Sequence, residues 1–230
     1  MLLIQANNLV TGNATTLVQN AEEETMGFMD MAMKGGWIMI PLAALSVIAI
    51  WIFFERYFAI RNANKIDRNF MNMIRDYIKE GRIEAARSLC DQTDSPVARM
   101  IGKGINRIGR PLNDVNAAIE NVGNMEISRL EKGLNVLASV AGGAPMIGFL
   151  GTVIGMIQAF YDMSKAGNNI DISNLSGGIY TAMVTTVAGL VVGIIAYFAY
   201  NILVSRVQKV IFKMETHTTD FMDLLNEPAK

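Results

Sequence analysis

Ionisable side chains are missing from three long stretches of this 230-residue chain. No Asp, Glu, Lys, Arg or His occurs in residues 37–54, 134–161 or 172–204, although charged residues make up 18% of the whole. Each stretch meets or approaches the ~20 apolar residues that cross a hydrocarbon core of ~30 Å. A charge at the centre of a membrane helix costs roughly 2.5–3.5 kcal/mol, so this segregation predicts three transmembrane helices. If such a protein moves ions, another chain must supply the titrating group.

Other scarcities exclude further classes of protein. The single cysteine, Cys90, can form no intrachain disulfide. The single histidine, His217, has no metal-ligand spacing around it, and the HExxH and GxSxG motifs are absent. We therefore predict no enzyme, no metal and no cofactor. A net charge of −1 suggests no nucleic-acid partner. Without inverted repeats or intramembrane charge, a self-contained transporter is also disfavoured.

Basic residues are distributed unequally on the two sides of the spans. One, Lys34, precedes the first span and one, Lys165, lies between the second and third. Fourteen Lys and Arg lie between residues 55 and 133, and three more follow the third span closely. The positive-inside rule then places the N-terminus outside and both the large loop and the C-terminus in the cytoplasm.

These observations predict an all-α integral membrane protein, N-out and C-in, with long cytoplasmic helical extensions. Residues 134–161 would already reach ~42 Å as a helix, longer than the bilayer requires. Residues 26–34 have a methionine-rich face that fits an interfacial helix or packing against neighbouring protein. The predicted segments are a periplasmic tail with that helix (1–34), span one (35–60), a cytoplasmic helical region (61–133), span two (134–162), a periplasmic loop (163–171), span three (172–205) and a cytoplasmic C-terminal helix (206–230).

The cytoplasmic region has helical rather than strand periodicity. Helices are predicted over 66–81 and 82–92, and a third from Ser95, as N-cap before a first-turn proline, to about residue 109. Asn113 or Asp114 is expected to cap a fourth helix that leads into span two.

Small residues form a stripe along spans two and three, and we single out six of them as packing positions. In membranes, such stripes permit close helix contact. They could pack on each other within one subunit, line a central space shared with another helix, or do both with different arcs. The six are Pro145, Gly148, Gly151, Gly155, Gly189 and Gly193.

Four threonines on or beside these stripes are candidate pore-facing or partner-facing residues. A lone threonine in a membrane helix usually bonds its own backbone, but this clustering favours a polar lumen. A hydroxyl does not ionise near neutral pH, although it can hydrogen-bond a carboxylate or a bridging water. The four are Thr152, Thr181, Thr185 and Thr186.

Several motifs resemble those of the ExbB/TolQ/MotA proton-channel family, with ExbB-like proteins the nearest. Residues 144–156, APMIGFLGTVIGM, look like the family's second-span motif, and residues 178–201 look like its third-span motif. The segment DSPVAR at 94–99 is typical of ExbB-like cytoplasmic loops. The resemblance extends over nearly the whole chain, from Gly35 to Leu225.

The resemblance implies a ring of five subunits in the bacterial inner membrane, embedded in lipid. The ring would enclose two helices of an ExbD-like single-span partner whose aspartate takes the proton. Thr152 and Thr186 match the family's partner-facing threonines. Two positions depart from the pattern: Thr181 stands where a glutamate is usual, and Ile195 where a proline is usual.

The implied function is that of a scaffold subunit in a motor driven by proton-motive force. ExbB-like proteins energise outer-membrane transport through a TonB-like protein, TolQ-like ones serve envelope integrity, and MotA-like ones turn flagella. The short cytoplasmic loop favours the first two. A non-conducting assembly scaffold remains the alternative from another class, because small-residue stripes serve assembly equally well.

Overall fold

A computed structural model describes residues 35–65, 69–166 and 172–227. Within these residues the chain forms seven α-helices and no strand. Residues 26–34 and 167–171, for which we predicted an interfacial helix and part of a loop, lie outside the described ranges. The helices are α1 (Met39–Ala63), α2 (Phe70–Lys79), α3 (Ile83–Gln92), α4 (Pro96–Ile105), α5 (Leu112–Glu131), α6 (Leu134–Ala166) and α7 (Ile172–Asn226).

Three helical segments of the described chain are long and apolar enough to cross a membrane. They are Met39–Ala63, Leu112–Lys165 and Leu175–Asn226. At most 22% of the residues in the most apolar window of each segment are buried. Most of their apolar surface therefore faces outward, where lipid or further protein would cover it. The predicted all-α architecture with three spanning helices is confirmed.

Helices α6 and α7 pack together along the apolar part of the molecule, and α1 packs against both. At its beginning, α1 approaches α7 closely: a Cβ added to Gly35 would lie 3.4 Å from Val184 Cγ1. Leu42 and Ala49 are the buried residues in the first half of α1. The large residues Trp37, Val47 and Trp51 are exposed. Only a narrow face of α1 is therefore buried against the other helices.

Helices α2 to α5 form what we call the connecting bundle, which packs against the C-terminal half of α7. Its short helices are amphipathic: α2 and α4 place large apolar residues inward, and α3 places Ala86 and Cys90 there. Gly104 of α4 permits the tightest approach, because a Cβ there would lie 2.7 Å from both Ile119 and Phe221. The core contains Phe70, Ile74, Ile101, Ile119 and Phe221, all at most 1% exposed.

The helix ends in the connecting bundle agree with the sequence in part: α3 matches the predicted 82–92 closely, whereas α2 begins at Phe70 instead of residue 66, with 66–68 outside the described residues, and α4 ends at Ile105 instead of about residue 109. Ser95 caps α4 as predicted, since its hydroxyl accepts a hydrogen bond from the Ala98 amide at 3.1 Å.

The expected cap at Asn113 or Asp114 was wrong: α5 begins at Leu112, directly after Pro111, with no side-chain cap. Pro111 lies at the position before the first helical residue, and its carbonyl accepts hydrogen bonds from the Asp114 and Val115 amides at 2.9 and 3.3 Å, so the backbone closes the first turn without a capping side chain.

The two long helices enter the apolar region differently. Between α5 and α6 the chain breaks at Lys132 and Gly133, and Gly133 adopts φ +83°, a conformation that favours glycine. Helix α7 has no such break: its 55 residues extend about 82 Å at ~1.5 Å per residue. The segments predicted as 172–205 and 206–230 thus share one helix up to Asn226.

Candidate functional site

The small-residue stripes of α6 and α7 face each other, and we call their contact the α6–α7 seam. At its centre the two backbones nearly touch at a glycine pair. A Cβ on Gly148 would lie 2.8 Å from the Thr185 carbonyl oxygen, and one on Gly189 would lie 2.6 Å from the Ala144 carbonyl oxygen. Carbon atoms do not approach oxygen so closely, so any larger residue would force the helices apart. In lipid, where apolar burial gives little driving force, this close packing supports helix association.

Three further pairs extend the seam in both directions. A Cβ on Gly151 would overlap the Thr185 side chain, and one on Gly155 would lie 2.9 Å from Ala182 Cβ. Toward the other end, Gly193 lies under the ring of Pro145, where a Cβ would come within 2.5 Å of the proline. The structure therefore places all six predicted packing residues at the contact between α6 and α7 of one chain.

Three of the four candidate threonines meet at the seam, and we call them the hydroxyl cluster. The Thr152 hydroxyl is 3.1 Å from the Ala182 carbonyl oxygen on the facing helix, and Thr186 Oγ1 is 3.1 Å from the Gly148 carbonyl oxygen. Thr185 donates to the Ala182 carbonyl at 2.7 Å and is 1% exposed. The Thr152 and Thr186 hydroxyls also contact each other directly.

The hydroxyl cluster lies at the edge of the seam rather than wholly inside it. Thr152 and Thr186 are half-buried, whereas Thr185 is buried. Each hydroxyl has one proton and two acceptor lone pairs, so acceptor capacity remains after the observed bonds are made. The arrangement can therefore accept a hydrogen bond from a group beside it, but it cannot carry a charge.

The fourth threonine, Thr181, lies outside the hydroxyl cluster. It is one turn before Thr185 and half-buried, close to the beginning of α1: a Cβ on Gly36 would lie 3.9 Å from its Cγ2. Spacing on one helix groups Thr181 with Thr185 and Thr186, but it does not reveal that α1 approaches at Thr181. The glycine pair at 35–36 was the available signal, because adjacent glycines before a span permit close approach.

A charged network in the connecting bundle was not anticipated. Glu126 of α5 has a side chain only 5% exposed and forms ion pairs with Arg99 at 2.7 Å and Arg129 at 2.8 Å. Arg99 also pairs with Asp94 at 2.6 Å. The hydrogen bond that the Arg99 guanidinium donates to the Glu126 carboxylate is the main cause that raises the pKa of Arg99. Arg56 of α1 donates to the Arg129 carbonyl at 3.3 Å, which connects the network to span one.

Among the described residues, no group of three His, Cys, Asp or Glu side chains could hold a metal ion. The features above define a class of protein: a multi-pass helical membrane protein whose spans meet through glycine and threonine, with no ionisable side chain in their apolar stretches.

The model of the MotA/TolQ/ExbB proton channel family matches residues 92–216. This match includes the Arg99–Glu126 network, the α6–α7 seam and the hydroxyl cluster, and it covers more than half of the chain. The chain belongs to this family. The resemblance seen in the motifs is thereby confirmed, and the family is described as a channel family rather than a class of enzyme.

Individual relatives support the same assignment. The chain is 30% identical over 189 residues to a putative biopolymer transport protein ExbB homolog of Methanothermobacter thermautotrophicus, covering 81% of this chain and 66% of that one. It is 29% identical to an ExbB-like protein of Synechocystis, with 79% and 72% covered. It is 26% identical to the Tol-Pal system protein TolQ of Pseudomonas aeruginosa, with 82% and 86% covered. Together with its three apolar helical segments, this makes the chain a multi-pass membrane protein, consistent with a bacterial inner membrane.

Proposed function

We propose that this chain is the scaffold ring subunit of an inner-membrane motor driven by proton-motive force. Five copies would enclose the two helices of an ExbD-like single-span partner, and the complex would do work on a TonB-like protein for outer-membrane transport. The N-terminus would lie outside and the connecting bundle in the cytoplasm. The observation that carries the proposal is a hydroxyl cluster at the edge of a membrane seam that has no ionisable side chain.

Because the seam has no ionisable side chain, proton-driven chemistry must be shared between two chains. Threonine hydroxyls cannot release or take up a proton near neutral pH, so a proton-driven complex needs a carboxyl group from elsewhere. Because Thr152 and Thr186 are half-buried, a helix lying beside the seam could reach them. They would then hydrogen-bond the partner's aspartate directly or through water.

The energetics suit such a division. Each proton that crosses releases ~2.3 kcal/mol per 100 mV of membrane potential. A carboxyl group in mid-membrane is far less costly when neutral than when ionised. Protonation would therefore change which contact with the ring the partner prefers, and that change would drive rotation or displacement of the inner helices. The threonine at position 181 would leave this ring without a relay glutamate.

Exposed apolar surface supports assembly into a ring. On α6, Phe149 and Ile157 are 65% and 63% exposed, and on α7, Met183 and Ile194 are 62% and 54% exposed. These residues point away from the α6–α7 seam of their own chain. Lipid, neighbouring subunits and partner helices together would cover this surface.

The first test is native mass spectrometry of the chain, expressed alone and with a single-span partner that contains one aspartate. We expect a five-fold assembly that takes up two partner helices. Reconstituted vesicles should then show proton flux that disappears when the partner's aspartate is changed to asparagine. A monomer or dimer that ignores the partner would overturn the proposal and favour a plain assembly scaffold.

A second test removes the half-buried hydroxyls. In the complex, the double change Thr152→Ala and Thr186→Ala should lower proton flux roughly tenfold, since two membrane hydrogen bonds of about 0.6–1 kcal/mol each are lost. Thr216→Ala with Thr219→Ala is the matched control on the polar end of α7, where both residues are exposed. Full proton-driven activity in the first double variant would contradict the role assigned to the hydroxyl cluster.

A TolQ-like role in envelope integrity is the alternative within the same mechanism. It is favoured by the TolQ relative, of which this chain covers 86%. Exchange experiments in cells that lack either system would separate the two: a TonB-type role restores energised uptake, and a TolQ-type role restores resistance of the envelope to detergent.

A further inference from the structure

Helices α2 and α4 of the connecting bundle each end in a backbone hydrogen bond that α5 lacks. The Glu80 amide donates to the Asp76 carbonyl at 2.9 Å, which closes α2. The Asn106 amide donates to the Gly102 carbonyl at 3.1 Å, which closes α4. Among the described residues at the end of α5, the Lys132 amide makes no comparable bond. The last carbonyl groups of α5 therefore need a donor from elsewhere, because a helix end leaves its final carbonyls without partners in the helix.

Arg56 of α1 supplies a donor at this end of α5. Its Nη1 donates to the Arg129 carbonyl, in the last turn of α5, at 3.3 Å, and its Nη2 bonds the Glu55 carboxylate on its own helix. A cation at the C-terminus of a helix is also favoured by the helix dipole. The Arg56 side chain is only 13% exposed, whereas Arg61 and Lys65, further along the chain, are exposed. Protein, rather than lipid or water, therefore surrounds Arg56.

Arg56 also lies against the residue at which the chain turns from α5 into α6. Gly133 has φ +83°, and a Cβ there would lie 3.8 Å from Arg56 Nε and 3.5 Å from Ile52 Cγ2. On the other side, the Arg129 guanidinium pairs with the buried Glu126 carboxylate at 2.8 Å. The α5–α6 junction is therefore held by α1 through the Arg129 backbone and by the connecting bundle through the Arg129 side chain.

We propose that Arg56 is a positioning residue that fixes the angle of the α5–α6 junction. Glycine reaches many backbone conformations, so Gly133 by itself does not fix the direction in which α6 leaves α5. A bond from α1 to the last turn of α5 removes that freedom. Helix α6 holds Thr152, so the angle at the junction also decides where this hydroxyl meets a partner helix. That last consequence rests on the proposed function, whereas the role of Arg56 at the junction does not.

Distances between two spin labels test the inference in the full chain. The labels are attached at Asn121→Cys on α5 and Ser139→Cys on α6, which are both exposed. A straight helix would place these positions about 27 Å apart, and any change of angle at Gly133 alters their separation. Labelled chains are expressed with a large excess of chains that lack the two new cysteines and are studied in lipid nanodiscs. Distances within one chain are then measured whether or not rings form.

The native cysteine does not disturb this labelling. Burial raises the pKa of the Cys90 thiol to about 12, which leaves almost no reactive thiolate. The two introduced cysteines are exposed, so they take up the label and Cys90 gives little background.

Three variants separate the hydrogen bond from the charge. Arg56→Met keeps a long side chain but removes the charge and the donors, and we expect the distribution of label distances to widen at least twofold. Arg61→Met is the matched control, because it removes the same charge from an exposed position on α1 and should leave the width unchanged. Arg56→Lys retains a charged donor and should give an intermediate width.

An unchanged width in Arg56→Met would overturn the inference, because packing on α7 would then fix the junction alone. Equal widening in Arg61→Met, or no narrowing in Arg56→Lys relative to Arg56→Met, would also overturn it, since the bond from Arg56 would not be the cause.

Proton flux through reconstituted vesicles separates this inference from the proposed function. Flux severalfold lower with Arg56→Met than with Arg61→Met supports both. Full flux despite a widened distribution contradicts the consequence drawn for Thr152. Absence of flux in the unchanged complex contradicts the motor alone, and the label distances still decide the role of Arg56.

Discussion

The α6–α7 seam and the connecting bundle hold the same chain together by opposite means. In the seam, glycine and alanine bring two backbones close together, and at Gly148 and Gly189 the closest neighbours are carbonyl oxygens and Cα atoms. In the connecting bundle, large residues such as Phe70, Ile101 and Phe221 fill the interior, and a buried carboxylate is held between two arginines.

The difference follows from the solvent that surrounds each region. Water drives large apolar side chains together, so the connecting bundle gains stability from what its side chains bury. Lipid tails are as apolar as leucine, so the seam gains from contact distance and backbone polarity instead. The connecting bundle therefore needs large apolar residues at its helix contacts, whereas the α6–α7 seam needs almost none at its own.

The largest effect should come from filling the seam. In Gly189→Ala, the new Cβ would lie 2.6 Å from the Ala144 carbonyl oxygen. Overpacking of this kind costs about 1–3 kcal/mol. Gly142→Ala on α6 is the matched control, because nothing lies within 4 Å of its Cβ position and alanine favours the helix by ~1 kcal/mol. Thermal unfolding in detergent, followed by circular dichroism, should show opposite shifts; equal shifts would mean that the seam tolerates side chains.

A smaller effect is expected from removing the buried charge in the connecting bundle. Glu126→Gln leaves Arg99 and Arg129 without their carboxylate, but these arginines are 39% and 65% exposed and can turn to water. We therefore expect about 1–2 kcal/mol of destabilisation instead of the ~3–5 kcal/mol of a fully buried pair. Glu131→Gln, an exposed change on the same helix, should cost less than ~0.5 kcal/mol. Chemical denaturation measures both, and equal values would show that the network adds nothing.

The smallest effect should come from the buried hydroxyl in the seam. Thr185→Val keeps the branched shape and removes the bond to the Ala182 carbonyl, which measures 2.7 Å. Hydrogen bonds between membrane helices contribute about 0.6 kcal/mol on average, so we expect a loss of that order. Thr219→Val, exposed on the polar end of α7, is the control. A loss above ~2 kcal/mol would mean that the hydroxyl cluster, rather than the glycines, holds the seam together.

The sequence predicted the seam better than the contacts around it. Helical periodicity and the absence of charge were enough to place the glycines and three threonines on facing stripes, because both signals are local. Thr181 was grouped with them since its neighbour across the interface, the beginning of α1, is distant in sequence. No local pattern predicts the Arg99–Glu126 pair, for the same reason: its partners are 27 residues apart and on different helices. Asn113 and Asp114 are favourable capping residues, so local propensity favours a helix start after them instead of at Leu112.

The unbroken length of α7 has a mechanical consequence that α6 does not share. A continuous ladder of backbone hydrogen bonds resists bending and twisting, so a rotation applied at Gly189 would reach Phe221 with little loss. The path through α6 is interrupted at Gly133, where a single residue with positive φ can act as a joint. Of the two helices that form the seam, α7 is therefore the stiffer. Motion generated within the bilayer would be transmitted to the connecting bundle through this helix.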